Sequence, residues 1–507
     1  MSKAATFVLI LFATLSTAAQ VKHLGGPCPT FNSTNQTISS VSSDLICVIP
    51  QVYGPGGLVG APNHGPLGST DQTSASFKHS VHFQSSALES FTPLTAAIGT
   101  QLGQLPITSP ASGFIFSFNP STGAVLESSQ NFGPILSERP QTIGRHKLFL
   151  GFTYQYFDFD KVDGVNLRKF GAVFHHESET GGCPNPNPPI SCYTNSKGQS
   201  VPVITQDFVS TQNGIGLTVN QFIAVGTFGL TSKFDLSVAI PIVNVRTDMA
   251  SNATIQNIEN TNFSVIPSCC VHVFSNPGLG PSQGETLGPS ITIHNTQNNT
   301  TFTYNNQASF KRSSAASGIG DVLFRAKFRV LQAEKAGLAV GADVRAPTGD
   351  ELNLLGSGTW GVRPFVVFGY AGRVSPHANL GLQINGDSVL AGDVTADTSK
   401  HLPNVINYSA GVDVGVSKRV TLSGDFIGLA ILNAKKIING PTVLDFIGGS
   451  HAAIANTNAT LNQANISLGG KLRAFHRLLI TANVLFPVND AGLHYKPAPL
   501  IGISQTF

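Results

Sequence analysis

After residue 15 the chain has no uninterrupted apolar run approaching the roughly 20 residues that a membrane-spanning helix needs, so no transmembrane helix is expected. Charge is scarce too. Charged residues make up 11% of the chain and leave a net +3 over 507 residues, which argues against a nucleic-acid surface. Only 2 Met and 1 Trp occur, against 52 Gly, 33 Phe and long tracts of Ser, Thr and Asn. Strand and turn formers therefore outweigh helix formers, and an all-β chain is expected.

The single early apolar run, Ala4 to Leu15, follows Lys3 and precedes Ser16, Thr17, Ala18 and Ala19. That is the layout of a secretory signal peptide over residues 1–19, which makes the protein an exported one. Six cysteines follow: Cys28 and Cys47, Cys183 and Cys192, and the vicinal Cys269 and Cys270. In an exported chain an even count favours disulfides over metal. Cys28–Cys47 and Cys183–Cys192 each bracket a polar loop and are the expected bonds. A bond between adjacent cysteines is strained, so the partners of Cys269 and Cys270 stay open.

From about residue 145 the sequence alternates with a period of two, as a barrel wall in lipid must. Ile406, Tyr408, Ala410, Val412, Val414 and Val416 fall on one face, with Asn407, Ser409, Gly411, Asp413, Gly415 and Ser417 on the other. The same pattern sets Val322, Phe324, Ala326, Phe328 and Val330 against Asp321, Arg325, Lys327 and Arg329, broken only by Leu323. Alternating segments longer than ordinary globular strands, joined by links that are short and long in turn, predict a transmembrane antiparallel β-barrel over residues 145–507 rather than a soluble sandwich. Twelve strands are counted: one from about Lys147 to Phe157, hairpins near 217–247, 319–347, 359–387, 405–430 and 464–487, and a last strand from about Tyr495 to Phe507. A further strand near Val165 to His175 would force a partner near Val201 to Phe208, which makes fourteen the alternative. The final strand ends on Phe507, with Ile501 and Ile503 in phase. This resembles the signal read by the barrel-assembly machinery of Gram-negative-type bacteria, so the expected location is the outer membrane, with its lipid as a partner.

In this register Arg325, Lys327, Arg329, Asp343, Arg345, Arg363, Asp413, Asp425, Lys471 and Arg473 face the lumen. Paired across strands, they neutralise a narrow interior. Left open to water, the basic excess favours anions.

The elements Gly318-Ile319-Gly320-Asp321, Arg345-Ala346-Pro347-Thr348-Gly349-Asp350, Leu355-Gly356-Ser357-Gly358 and Asn379-Leu380-Gly381-Leu382 resemble outer-membrane barrels associated with the MetA pathway of phenol degradation. Those are regarded as transporters or channels, with a looser likeness to FadL-type channels for hydrophobic substrates. The resemblance implies a channel and carries no functional residue with it, since its motifs read as turns and wall strands.

Residues 20–144 are organised differently and are expected to form a periplasmic extension or a plug entering the lumen. Leu94, Ile98, Leu102 and Leu105 predict one short amphipathic helix. Phe114, Phe116 and Phe118 before Asn119-Pro120-Ser121-Thr122-Gly123 predict a hairpin. Gly280-Pro281-Ser282-Gln283-Gly284 matches a nucleophile elbow but lies in a Gly- and Pro-rich loop without the strand and helix that elbow needs. His175-His176-Glu177 has no further ligand at a metal-site spacing. No enzyme, cofactor or metal is therefore expected. The function expected is a channel or transporter for small solutes, aromatic or hydrophobic ones by the resemblance. The alternative is a structural or adhesive barrel that binds partners through long external loops, chiefly Ser251 to Ala316.

Overall fold

A computed structural model describes residues 27–28, 41–54, 58, 83–109, 113–119, 124–128, 131–176, 192–194, 200–202, 207–256, 274, 286–289, 291–295, 300–333, 335–396, 398–444 and 449–507. Twelve antiparallel wall strands run in sequence order: β1 (Leu148–Val162), β2 (Phe208–Gly229), β3 (Phe234–Gln256), β4 (Gln307–Ile319 continued by Val322–Gln332), β5 (Ala336–Ala346), β6 (Gly361–Tyr370), β7 (Val374–Asn385), β8 (Val405–Gly415), β9 (Val420–Asn439), β10 (Ile454–Phe475), β11 (Leu478–Pro487) and β12 (Leu493–Tyr495 with Ala498–Thr506). Each pairs with the next, and β12 pairs with both β11 and β1. The sheet is closed and leaves no edge, which a wall in lipid requires.

The place where the strand count is left open by the sequence, Val165 to His175, has a physical resolution. Phe170–His175 pairs with Phe208–Asn213 of β2, directly beyond the β1 pairing that ends at Phe159 and Leu217. It therefore prolongs β1 past a short excursion and adds no strand, so the number is twelve. Within β4, Gly320 and Asp321 interrupt the strand, yet Ile319 opposite Ile242 and Leu323 opposite Ala239 keep both halves on β3.

Side-chain exposure fixes the register. Val412 is 39% exposed on the outer face while Asp413 beside it is 1% exposed. Leu468 is 54% exposed beside Ser467 at 1%. A one-residue slip would exchange these faces throughout the wall. The apolar belt, with no charge among its exposed members Phe152, Phe222, Leu380, Leu422 and Ile501, is the exterior of an outer-membrane barrel. The short links 230–233, 333–335, 371–373, 416–419 and 476–477 all lie at one end, the periplasmic end of such barrels.

One expectation of the alternation fails in part. Towards the end of the barrel with the long loops, the inner faces of β2 and β3 are apolar, with Ile215, Leu217, Val245, Met249 and Ile255 all buried. They meet protein instead of water. Helix α1 (Gln84–Leu102) and residues 45–53 share one core with them. Within it Tyr53 stacks on Phe91 and meets Phe174 and Phe310 edge-on. The helix starts about three turns earlier than its expected stripe, because Ala87 and Phe91 continue the buried series Leu94, Ile98 and Leu102 at helical spacing. Leu105 lies beyond its end. The expected hairpin is present as Ile115–Asn119 paired with Ala124–Ser128.

Cys28 and Cys47 are bonded across 19 positions of sequence. Closing a loop of that size restricts the unfolded chain by about 3 kcal/mol in the chain-entropy account. Replacing both by Ser is expected to lower the stability of the packed stretch 41–54 by about that amount. Urea titration monitored by protease cleavage should read this out, with the heat-modifiable migration of the barrel unchanged. Cys183, Cys269, Cys270 and Ser282 lie outside the described residues.

Candidate functional site

The inward side chains converge on two stretches of the N-terminal region. Residues 103–109 run along the inside of β1, where Gln155 Nε2 donates to the Pro106 carbonyl at 2.7 Å and the Thr108 and Thr153 hydroxyls lie 3.3 Å apart. Residues 131–144 enter from the short-turn end, where Thr142 Oγ1 donates to the Ser232 carbonyl (2.7 Å) and the Ile143 amide to Asp235 (3.1 Å). The two stretches meet where the Ser109 amide donates to the Ile135 carbonyl and its hydroxyl to Glu138.

Two wall lysines hold the second stretch by its backbone. Lys471 Nζ donates to the carbonyls of Phe132 (3.2 Å), Gly133 (2.7 Å) and Pro134 (2.6 Å). An ammonium has three donors, and three carbonyls meet them. Lys327 Nζ does the same for Arg139 (3.1 Å) and Gln141 (2.9 Å) and reaches Glu138 at 3.4 Å. Gly133 has φ +74, and a side chain there would press on the Arg139 guanidinium at 2.7 Å, so the turn that presents these carbonyls requires glycine.

Glu138 sits at the centre of the charged cluster. It lies 2.6 Å from Arg325 Nη1. Arg325 Nε in turn lies 2.6 Å from Asp343, which Arg363 also binds through Nε at 2.9 Å. Arg345 donates to Asn385 at 2.8 Å and approaches Asp321 at 3.5 Å. Nearer the short turns, His377 Nε2 lies 2.6 Å from Asp425, and its Nδ1 lies 3.4 Å from Asp413, which accepts from Ser423 at 2.6 Å. Gly411 leaves the room this cluster needs, since a Cβ there would stand 2.1 Å from the Asp425 carboxylate.

Of the ten residues read as lumen-facing, Arg325, Lys327, Asp343, Arg345, Asp413, Asp425 and Lys471 are thus enclosed in ion pairs or hydrogen bonds. Arg363 is bound to Asp343 with 27% of its side chain open. Arg329 and Arg473 lie at the short-turn rim, where Arg329 donates to the Ser232 carbonyl and Arg473 lies over the Phe114 ring. Sequence reasoning missed Glu138, Arg139 and His377. His377 was recoverable from its phase with Ser375 and Asn379 on β7. Glu138 and Arg139 have no periodic neighbours to mark them. Their one signal is a pair of charges in a stretch otherwise poor in charge.

The residues of the Gly-Ile-Gly-Asp, Pro-Thr-Gly-Asp and Leu-Gly-Ser-Gly elements converge as well. Asp321 accepts from the amides of Gly349 (3.1 Å) and Ser357 (2.8 Å) and from the Ser357 hydroxyl (2.5 Å). Thr348 Oγ1 donates to the Gly320 carbonyl at 2.7 Å. The break in β4 therefore serves as the anchor that draws the 347–360 loop against the wall.

Between the inner stretches and the wall lies a cavity of about 210 Å³. Its lining includes the polar side chains of Glu138, Arg325, Asp343, Arg363, Asn407 and Ser409 and the apolar ones of Leu105, Ile427, Leu429, Leu485 and Leu493.

No curated protein matches the chain. Among solved structures, an outer membrane channel of Pseudomonas putida F1 aligns at 10% identity over 72% of this chain and 97% of its own, with a TM-score of 0.38. A FadL homologue of Pseudomonas aeruginosa aligns at 12% identity over 80% and 98%, with a TM-score of 0.30. Residues 194–428, which run from the loop after β1 to the middle of β9 and include the converging turns around Asp321, match the family described as "Putative MetA-pathway of phenol degradation", the same family that those turns resemble in the sequence.

Proposed function

We propose that this protein is an outer-membrane channel or transporter for small, partly apolar solutes such as single-ring aromatic compounds, with residues 103–109 and 131–144 acting as a plug. The observation that carries this reading is the cavity, whose lining mixes apolar side chains with hydrogen-bonding groups. Its volume of about 210 Å³ suits one small ring compound, since an apolar cavity of roughly 150 Å³ accommodates benzene. The pairing of Arg325, Arg363 and Asp343 leaves little open positive charge, which favours a neutral or weakly polar solute over a general anion pore.

Conductance in planar bilayers tests the proposal. The unaltered protein should give small, intermittent openings that phenol or toluene reduces. The double substitution Lys327→Met, Lys471→Met removes the grip on the backbone carbonyls of 132–141 and should raise conductance several-fold. A double variant that assembles and still conducts nothing would refute the plug. Failure of either compound to alter current or to protect the cavity from chemical labelling would refute the choice of solute.

A further inference from the structure

The described residues that precede β1 make contacts from one end of the lumen to the other, and the order of those contacts gives the direction. At the end with the long loops, the Cys28 amide donates to the Val394 carbonyl at 3.0 Å, in the 386–404 loop. The Ile46 amide donates to the Leu352 carbonyl at 3.0 Å, in the 347–360 loop. Tyr53 Oη lies 2.8 Å from Ser251 Oγ, near the outer end of β3. The end of α1 is held at the same level, where Gln101 Oε1 accepts from the Leu493 amide at 2.6 Å. From there the chain descends past Gln155 and Thr153 of β1 to the opposite rim. At that rim the Phe116 amide donates to the Ile143 carbonyl, and Lys147 lies over the Phe116 ring. The fourteen or so positions from Leu102 to Phe116, at about 3.3 Å each when extended, are enough to cover the height of the wall.

We infer that residues 41–54, together with Cys28, form an extracellular cork, so that this part of the chain faces the outside of the cell while the links between wall strands face the periplasm. The cork is built as a core and is not merely draped over the loops. Leu45, Ile46, Cys47, Val48 and Tyr53 are each at most 2% exposed, and their partners come from β3, β4, α1 and two external loops. The disulfide between Cys28 and Cys47 ties Cys28 to the buried stretch 45–53 on that side. The inference is separate from the channel proposed above, and it stands or falls with the side on which residues 41–54 lie.

Labelling on intact cells with a membrane-impermeant maleimide decides it. Ser43 and Val41 are exposed and belong to the cork, and Lys418 is exposed in a short link at the opposite end. Ser43→Cys and, as a second reporter, Val41→Cys should label on intact cells above the background of the unsubstituted chain. Lys418→Cys should label only after the outer membrane is permeabilised. Heat-modifiable migration identifies folded variants. Labelling of both cork reporters only after permeabilisation, or not at all, would overturn the inference. Labelling of Lys418→Cys on intact cells would overturn the orientation beneath it, whereas a non-conducting but correctly labelled protein would count against the channel alone.

Discussion

Arginine in place of Val412 should cost the barrel about 2 to 4 kcal/mol, the depth-dependent penalty for a cation on the lipid face near mid-membrane. Val412 lies on β8 opposite Gly424 of β9, with its side chain 39% exposed on the outer face. Its cross-strand neighbours Pro376 and Gly424 and the same-face residues Ala410 and Val414 carry no carboxylate to receive the charge. The neighbouring Asp413→Asn change should be much milder, because Asn keeps an acceptor for Ser423 and the inner cluster retains Asp425 for His377. Heat-modifiable migration and urea unfolding in detergent or bilayers would measure both. Normal assembly of Val412→Arg together with loss of folding in Asp413→Asn would mean that the wall register is reversed.

The second large effect is expected at Glu138, which is 6% exposed. Removing the carboxylate as Glu138→Ala leaves Arg325 with Asp343 alone and Lys327 with carbonyls alone. Breaking a buried ion pair from one side typically costs about 3 to 5 kcal/mol, since the remaining charge stays buried without compensation. The cost should fall on the seating of residues 131–144, because the wall ladder does not pass through Glu138. Proteolysis within 131–144 should therefore rise while barrel migration on gels is unchanged. Glu138→Gln should fall between the two, keeping the bond from Ser109 but not the charge. If Glu138→Ala prevented barrel assembly altogether, the inner stretch would be part of the wall's folding nucleus and not its guest.

The wall was legible because lipid imposes one rule on every strand. Val412 out and Asp413 in follows from alternation alone, and the same reading placed Lys471 and Asp343. What alternation cannot tell is what lies inside. Ile215 and Val245 carry an apolar inner face that reads poorly against the rule of a polar lumen, and only the packing of α1 and Tyr53 onto them explains it. The charged cluster was half legible for the same reason. Arg325, Asp343 and Arg363 were visible from their phase on β4, β5 and β6, but their partner Glu138 comes from a stretch with no period. Its distance in sequence, 187 positions from Arg325, leaves no local signal. The Asp321 anchor shows the converse case, in which residues singled out as turns proved to be mutual hydrogen-bonding partners.

The seam between β12 and β1 joins residues as remote in sequence as Leu500 and Gln155, and it encircles chain that precedes β1. Topologically this is a thread held in a ring. Residues 41–54 pack into a core on one side, and the hairpin Ile115–Asn119 with Ala124–Ser128 lies on the other, so both ends of the threaded stretch carry folded structure. Contacts this distant form late, because a long loop must be closed before they give anything back. The thread therefore has to be gathered in while the ring is still open. Afterwards its own hydrogen bonds hold the thread in its seat, while leaving the ring altogether requires either that an end unfold or that the seam open, which adds a kinetic form of stability.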